Sequence, residues 1–270
     1  MYFSWREKRK YFFILILIIF LLSYSFYKLY PSLFPAPTCN DGKQNLDESG
    51  IDCGGGCILV CPREVLPLEV KFAKAIKTEK DFYDLVAFVT NKNKSINTFD
   101  GSINYYFTIY DKAGSVMKVI KGTSIIPLGQ DFPIILQNIF LPLSESGNSV
   151  SNISFTILDN QSWRPSDSSF SNIFFKTIST DFQNGLNNGI DLTRLSAKIQ
   201  NLSNNYFRNF KVATLIYDVN KNLIAVNETV IDEVNRLQVK DIFYTWRESF
   251  SAEPVKIDVY PIITPYTSFK

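Results

Sequence analysis

The chain has 270 residues, with 28 Lys or Arg against 26 Asp or Glu and no histidine. The missing imidazole excludes Ser-His-Asp and Cys-His nucleophilic catalysis, histidine metal sites and the usual near-neutral proton shuttle. A net charge of +2, traceable to the basic start of the chain, leaves no electrostatic footprint for nucleic acid.

Residues 1–10 read as a cytoplasmic basic tail carrying Arg6, Lys8, Arg9 and Lys10. Tyr11–Tyr30 follows as an apolar run uncharged before Lys28. At about 1.5 Å per residue it spans about 30 Å, the hydrocarbon thickness of a bilayer. Tyr24, Tyr27 and Tyr30 supply rings for the membrane boundary, and Lys28 can snorkel. The positive-inside rule puts the N-terminus in the cytoplasm and residues from about 31 onward outside. A cleaved signal peptide is the rival reading. The nearest small-residue candidate for cleavage is Pro35-Ala36-Pro37, and the bulky residues from Tyr24 to Phe34 fit it poorly. A retained single-pass anchor is therefore expected, with everything after it exported.

About 240 residues remain, enough for one large or two ordinary domains. Pro31–Pro37 reads as an extended spacer at which the helix ends, because proline fixes φ and biases its predecessor away from helix. The spacer continues to residue 65 and holds all four cysteines, Cys39, Cys53, Cys57 and Cys61. In an oxidising compartment this reads as two disulfides with three connectivities open. A four-thiolate zinc site is the alternative, although the spacings lack paired C-x-x-C knuckles. Asp41, Asn45, Asp47, Glu48 and Asp52 are interleaved with the cysteines, and hard oxygen donors on a short loop suit Ca2+. The loop is not an EF-hand, since Lys43 and Leu46 occupy its third and glycine positions. The rival is a solvated acidic turn.

The string from Cys39 to Cys61, C-x-D-G-x-x-N-x-x-E-x-x-x-D-C-G-G-x-C-x-x-x-C, resembles a short cysteine-rich module of bacterial and archaeal exported and surface proteins. That resemblance implies a disulfide-stapled, calcium-binding spacer without a catalytic role.

From Leu66 the pattern changes to period two. Leu68, Val70 and Phe72, then Leu85, Ala87 and Val89, then Ile103, Tyr105, Phe107 and Ile109 each share a face, as half-buried strands do. Turn residues separate the runs at 91–94, 111–114, 127–129 and 144–148. The second half repeats the first. Phe107–Asp111 answers to Thr214–Asp218, Asn91 to Asn201, Thr123 to Thr229, Phe140 to Phe243 and Ile153 to Val255, with the join in the polar stretch Asn160–Ser171. Domains are expected at 66–162 and 163–270. Tyr110 and Tyr217 are expected to pack, while Asp111 and Asp218 open the turns that follow them. Phe107-Thr-Ile-Tyr-Asp111, after Val89-Thr-Asn91-Lys-Asn93, resembles an FxLYD domain, a prokaryotic relative of the late-embryogenesis-abundant type-2 sandwich. The second copy departs from that motif at Thr214. The resemblance implies immunoglobulin-like antiparallel sandwiches of about seven strands each.

The expected fold class is thus mainly β: one transmembrane helix, a disulfide-rich spacer and two tandem sandwiches. No nucleophile elbow, phosphate-binding loop or dinucleotide fingerprint is present. The expectation is a non-enzymatic, membrane-anchored surface or envelope protein that meets protein partners. The alternative is a carbohydrate- or cell-wall-binding module using Trp163 and Trp246 as stacking rings. Sequons stand at Asn93, Asn152, Asn160, Asn201 and Asn227.

Overall fold

The computed structural model describes residues 5–33, 38–45, 47–98, 101–142, 149–158, 162–166, 175–183, 186–187, 190–247, 249–250, 252–264 and 268–269. Residues 34–37 of the spacer, Leu46, the 144–148 turn, Asn160 and most of the join lie outside them. The chain divides into two compact units, 1–58 and 59–270.

In the first unit, helix α1 covers Trp5–Leu33. Its apolar run contains no glycine, and proline is absent from it until position 31, so nothing interrupts the i→i−4 ladder. The helix is longer than the expected 11–30. At its start the Arg9 guanidinium sits 4.8 Å above the Trp5 ring, one turn away. At its end it runs past Pro31, whose missing N–H removes only one bond in a final turn. Arg9–Tyr30 has a mean hydropathy of 2.2, and its side chains are exposed. Phe20 is 67% exposed and Leu22 64%.

The second unit is built from strands. The first copy runs β1 (Glu69–Glu79), β2 (Phe82–Thr90), β3 (Ile96–Thr98), β4 (Ser102–Asp111), β5 (Val116–Ile125), β6 (Asp131–Phe140), β7 (Val150–Ile157) and β8 (Trp163–Pro165). The second runs β9 (Phe175–Gln183), β10 (Leu186–Asn187), β11 (Ile190–Asp191), β12 (Thr193–Asn201), β13 (Tyr206–Tyr217), β14 (Leu223–Val234), β15 (Val239–Trp246), β16 (Lys256–Ile262) and β17 (Ser268–Phe269). Each copy is an antiparallel sandwich of two main sheets, ordered β1-β2-β6 and β5-β4-β7 in the first, β9-β12-β15 and β14-β13-β16 in the second. The two orders correspond strand for strand, so the internal repeat is a repeat of topology.

Registers refine that repeat. Asn104 pairs with Thr123, and Lys211 with Val230, so Val230 rather than Thr229 answers to Thr123. By the same reasoning Ile135 answers to Phe243 and Ile257 to Ile153, because loop lengths and bulges differ between copies. Trp163–Pro165, expected to open the second domain, pairs with β3 and belongs to the first. A strand-length run is placed by its hydrogen-bond partners rather than by the composition of the join.

The alternation selects the inward residues in two of its three runs; in the first, Val70 is exposed because a bulge separates it from Phe72. Leu85, Ala87 and Val89, with Ile134 beside them on β6, face Ile103, Phe107, Ile109 and Ile153, all buried in one cluster. Fully burying such a side chain contributes about 1.5–3 kcal/mol. The opposite face of β2 is buried as well: Val86 is wholly inaccessible and Asp84 only 5% exposed. The second copy supplies the cover. Residues of β13 divide by parity, with Ala213 and Leu215 joining the first copy's cluster, while Val212 and Ile216 join the second's. Phe88 meets Tyr260 edge to face at 5.3 Å, and Lys74 Nζ donates to the Leu223 carbonyl at 3.1 Å. The β1-β2-β6 sheet of the first copy therefore packs on the β14-β13-β16 sheet of the second. The equivalent face at the far end of the stack carries exposed Arg194 and Lys198 on β12, so no third layer is invited.

Candidate functional site

The oxygen donors of the cysteine-rich loop act first on the backbone. Asp52 Oδ1 accepts from the Asp41 and Gly42 N–H groups at 2.9 and 3.1 Å, closing the loop across ten or more residues. Asp41 accepts from the Lys43 N–H at 2.9 Å and the Asn45 amide at 2.8 Å. The Asn45 amide, then the Lys43 N–H, holds the Asp41 carboxyl below the usual carboxylate range. Gly55 at φ +58° lies where a Cβ would come within 2.1 Å of the Asp47 carbonyl, so only glycine fits.

Cys39 is bonded to Cys57 with Cα atoms 5.7 Å apart. No cysteine is free, and Cys53 and Cys61 are disulfide-bonded too, which makes two disulfides. The thiolate zinc alternative fails on this count. Although Cys39, Glu48 and Cys57 place ligand atoms within 4.8 Å of one another, the sulfurs hold each other.

Among the described residues, two shielded oxygens of the loop lack a donor. Asn45 Oδ1 is buried and without a partner. Glu48 is 8% exposed, and its Oε2 accepts from the Asn45 N–H at 3.1 Å. Its Oε1 lies 3.2 Å from Cys57 Sγ, a disulfide sulfur with no proton to give. Buried acceptors without donors are costly, and they fit a hard cation. Asp41 and Asp52 accept N–H groups already but keep further lone pairs. The structure thus brings the sequence-selected donors onto one short loop and distinguishes Asn45 and Glu48 among them.

A second feature lies where the two copies meet. A cleft of about 470 Å³ is lined by Asp84, Gln137, Asn138, Trp246, Arg247 and Phe250 with their neighbours. Asp84 sits opposite a bulge in β6, where the register shifts between Tyr83 and Leu85. Its Oδ1 accepts the Asn138 N–H at 2.9 Å, and Asn138 takes φ +58°. Burial pushes the Asp84 carboxyl above its ordinary range, opposed in part by that N–H. Sequence reading missed Asp84; the signal was an acidic residue inside the apolar run Phe82–Val89.

The motif residues have structural work. Asp111 Oδ1 accepts from Ala113 and Ser115 at 2.8 and 2.9 Å, and Asp218 Oδ1 accepts from Asn222 at 2.7 Å. Burial pushes Tyr217 up to about 12, with the Asp258 charge adding to it. Asn91 donates to the Pro127 carbonyl and accepts from the Asn93 N–H; Asn201 donates to Asn205 and Asn235 and accepts from the Ser203 N–H. Asn93 and Asn201 are buried, whereas Asn152 is an exposed sequon. Trp163 packs on the first core, so only Trp246 of the two expected stacking rings lines the cleft.

No protein-family model matches the chain, and no curated protein does. Among solved structures, red sea bream transglutaminase is similar over 74% of this chain at 7% identity and a TM-score of 0.22. This chain spans 32% of that enzyme's length. The N-terminal CBM22-1-CBM22-2 tandem domain from Paenibacillus barcinonensis Xyn10C is similar over 72% of this chain and 82% of its own, at 9% identity and a TM-score of 0.15. At those scores neither carries an argument about activity.

Proposed function

We propose that this is a retained single-pass membrane protein of a bacterial or archaeal envelope, with its N-terminus cytoplasmic and its sandwiches outside, acting without catalysis through contacts with envelope or surface proteins. The observation that carries this reading is α1: an exposed 22-residue span of mean hydropathy 2.2 is stable in lipid and costly in water. The basic residues before it set the orientation. The FxLYD-like reading of the two copies is supported by the matching Asp111 and Asp218 turns. Protease added outside intact cells tests it: the reading expects loss of the sandwiches with the tail protected, and chemical crosslinking to a stoichiometric envelope protein. Protection of the sandwiches would refute it.

Calcium at the cysteine-rich loop is part of this reading, with Asn45 and Glu48 as central ligands and Asp41, Asp47 and Asp52 around them, the ion stiffening the spacer. Millimolar calcium is expected to raise resistance of residues 38–61 to proteolysis relative to a chelator, and Glu48→Gln to remove that difference. Equal cleavage in both conditions would count against calcium.

A second reading, carbohydrate or cell-wall binding, is favoured by the Trp246 and Phe250 rings in the cleft.

A further inference from the structure

The cleft between the copies holds chemistry that anchoring and protein contacts leave unused. Its volume of about 470 Å³ falls within the range of about 300–1,000 Å³ typical of small-ligand sites. One side comes from the first copy: Asp84, 5% exposed, with the two bulge residues Gln137 and Asn138 opposite it. One Asp84 oxygen is committed to the Asn138 N–H, and the carboxylate's remaining lone pairs are acceptors.

The other side comes from the second copy and is aromatic. Trp246 and Phe250 meet edge to face at 5.2 Å, and Phe250 stacks on Phe182 at 5.5 Å. Trp246 Nε1 donates to the Val226 carbonyl at 3.1 Å. Their neighbours thus hold the rings in place, so little ordering is needed on binding.

Charge decides the ligand class. Among the described residues the ionisable lining groups are Lys77 and Arg247 against Glu79 and Asp84, and Arg247 lies 3.7 Å from Glu79. Two charges of each sign favour neither an anion nor a cation. A neutral molecule with an apolar face and hydroxyl edges matches an aromatic wall set against amides and a carboxyl. A pyranose ring has that form.

We propose that this cleft binds a neutral saccharide, its C–H face on Trp246 and Phe250 and its hydroxyls on Asp84, Gln137 and Asn138. The proposal rests on the carbohydrate-binding reading and goes beyond it by assigning the site and the ligand's charge. The site belongs to the duplication: the position equivalent to Asp84 in the second copy is Arg194, on an exposed face.

The test uses the full chain in a detergent without a sugar headgroup, carrying Trp5→Phe and Trp163→Phe so that Trp246 is the sole indole. Maltose, cellobiose, mannobiose and N,N′-diacetylchitobiose are titrated into the millimolar range while Trp246 emission is read. A saturable change with at least one of them is expected, weakened about tenfold by Asp84→Asn, the effect of one lost hydrogen bond to a charged group. Asn keeps an acceptor for the Asn138 N–H, so this variant retains the bulge, which a thermal melt checks. Phe250→Leu should weaken binding as well. No change with any sugar or with spermidine overturns both the site and the wider reading. Binding undiminished in both variants overturns the site alone, and a response to spermidine without one to sugars overturns the ligand class.

Discussion

Leu215 separates a joined pair of sandwiches from two that are merely consecutive. It points away from its own core, out of the second copy, and is wholly inaccessible only because the first copy covers it. Ile216, its neighbour, points into the second core and is equally inaccessible. If the copies were independent, Leu215 would be a surface residue and its truncation would cost within about 0.5 kcal/mol. Packed as observed, Leu215→Ala removes buried methyl groups and leaves a cavity, which costs about 2–5 kcal/mol. For a unit of about 200 residues each kcal/mol moves Tm by about 2–4 °C, so a fall of roughly 4–20 °C is expected, comparable to that of Ile216→Ala. Far-UV circular dichroism melts of the full chain in detergent read this directly. A Tm unchanged by Leu215→Ala while Ile216→Ala lowers it would refute the shared core.

Asn91→Ala strands the Pro127 carbonyl and the Asn93 N–H, and Asn201→Ala strands the Asn205 and Asn235 carbonyls. Each should cost about 1–3 kcal/mol by chemical denaturation, and the double variant should cost about their sum. Asp84 carries a pH signature. A carboxyl whose folded pKa is raised costs stability above that folded value, where the desolvated group is ionised, and costs none below the unfolded value, where both states are protonated. Asp84→Asn should therefore raise Tm at pH 7, with the gain vanishing below about pH 4; a constant or growing difference on acidification would contradict the burial argument. Reducing Cys39–Cys57, which spans 18 residues, should remove about 3 kcal/mol of loop-closure stabilisation. Limited proteolysis should show residues 38–61 cut faster while the sandwich transition is unchanged.

The strands were legible because alternation reports one buried face. Leu85, Ala87 and Val89, and Ile103 through Ile109, were selected correctly on that rule. What alternation cannot reveal is a second cover on the other face. The signal for it was the unbroken run Leu85-Val-Ala-Phe-Val89, together with Val212-Ala-Thr-Leu-Ile216 on β13, broken only by a threonine, the pattern of strands buried on both sides. In the loop, the cluster of cysteines and oxygen donors was local and therefore visible. The Cys39–Cys57 pairing and the two donorless oxygens depend on how the chain returns on itself, as does the cleft, whose walls lie more than 80 residues apart in sequence.

The anchored, exported architecture is tested most directly by intact mass. Cells are lysed into a thiol-alkylating reagent, membranes are washed with alkaline carbonate, and the chain is weighed. The account predicts the full 30.9 kDa chain in the washed membrane with no alkylated cysteine. A shortened chain in the soluble fraction, or four alkylated thiols, would contradict it.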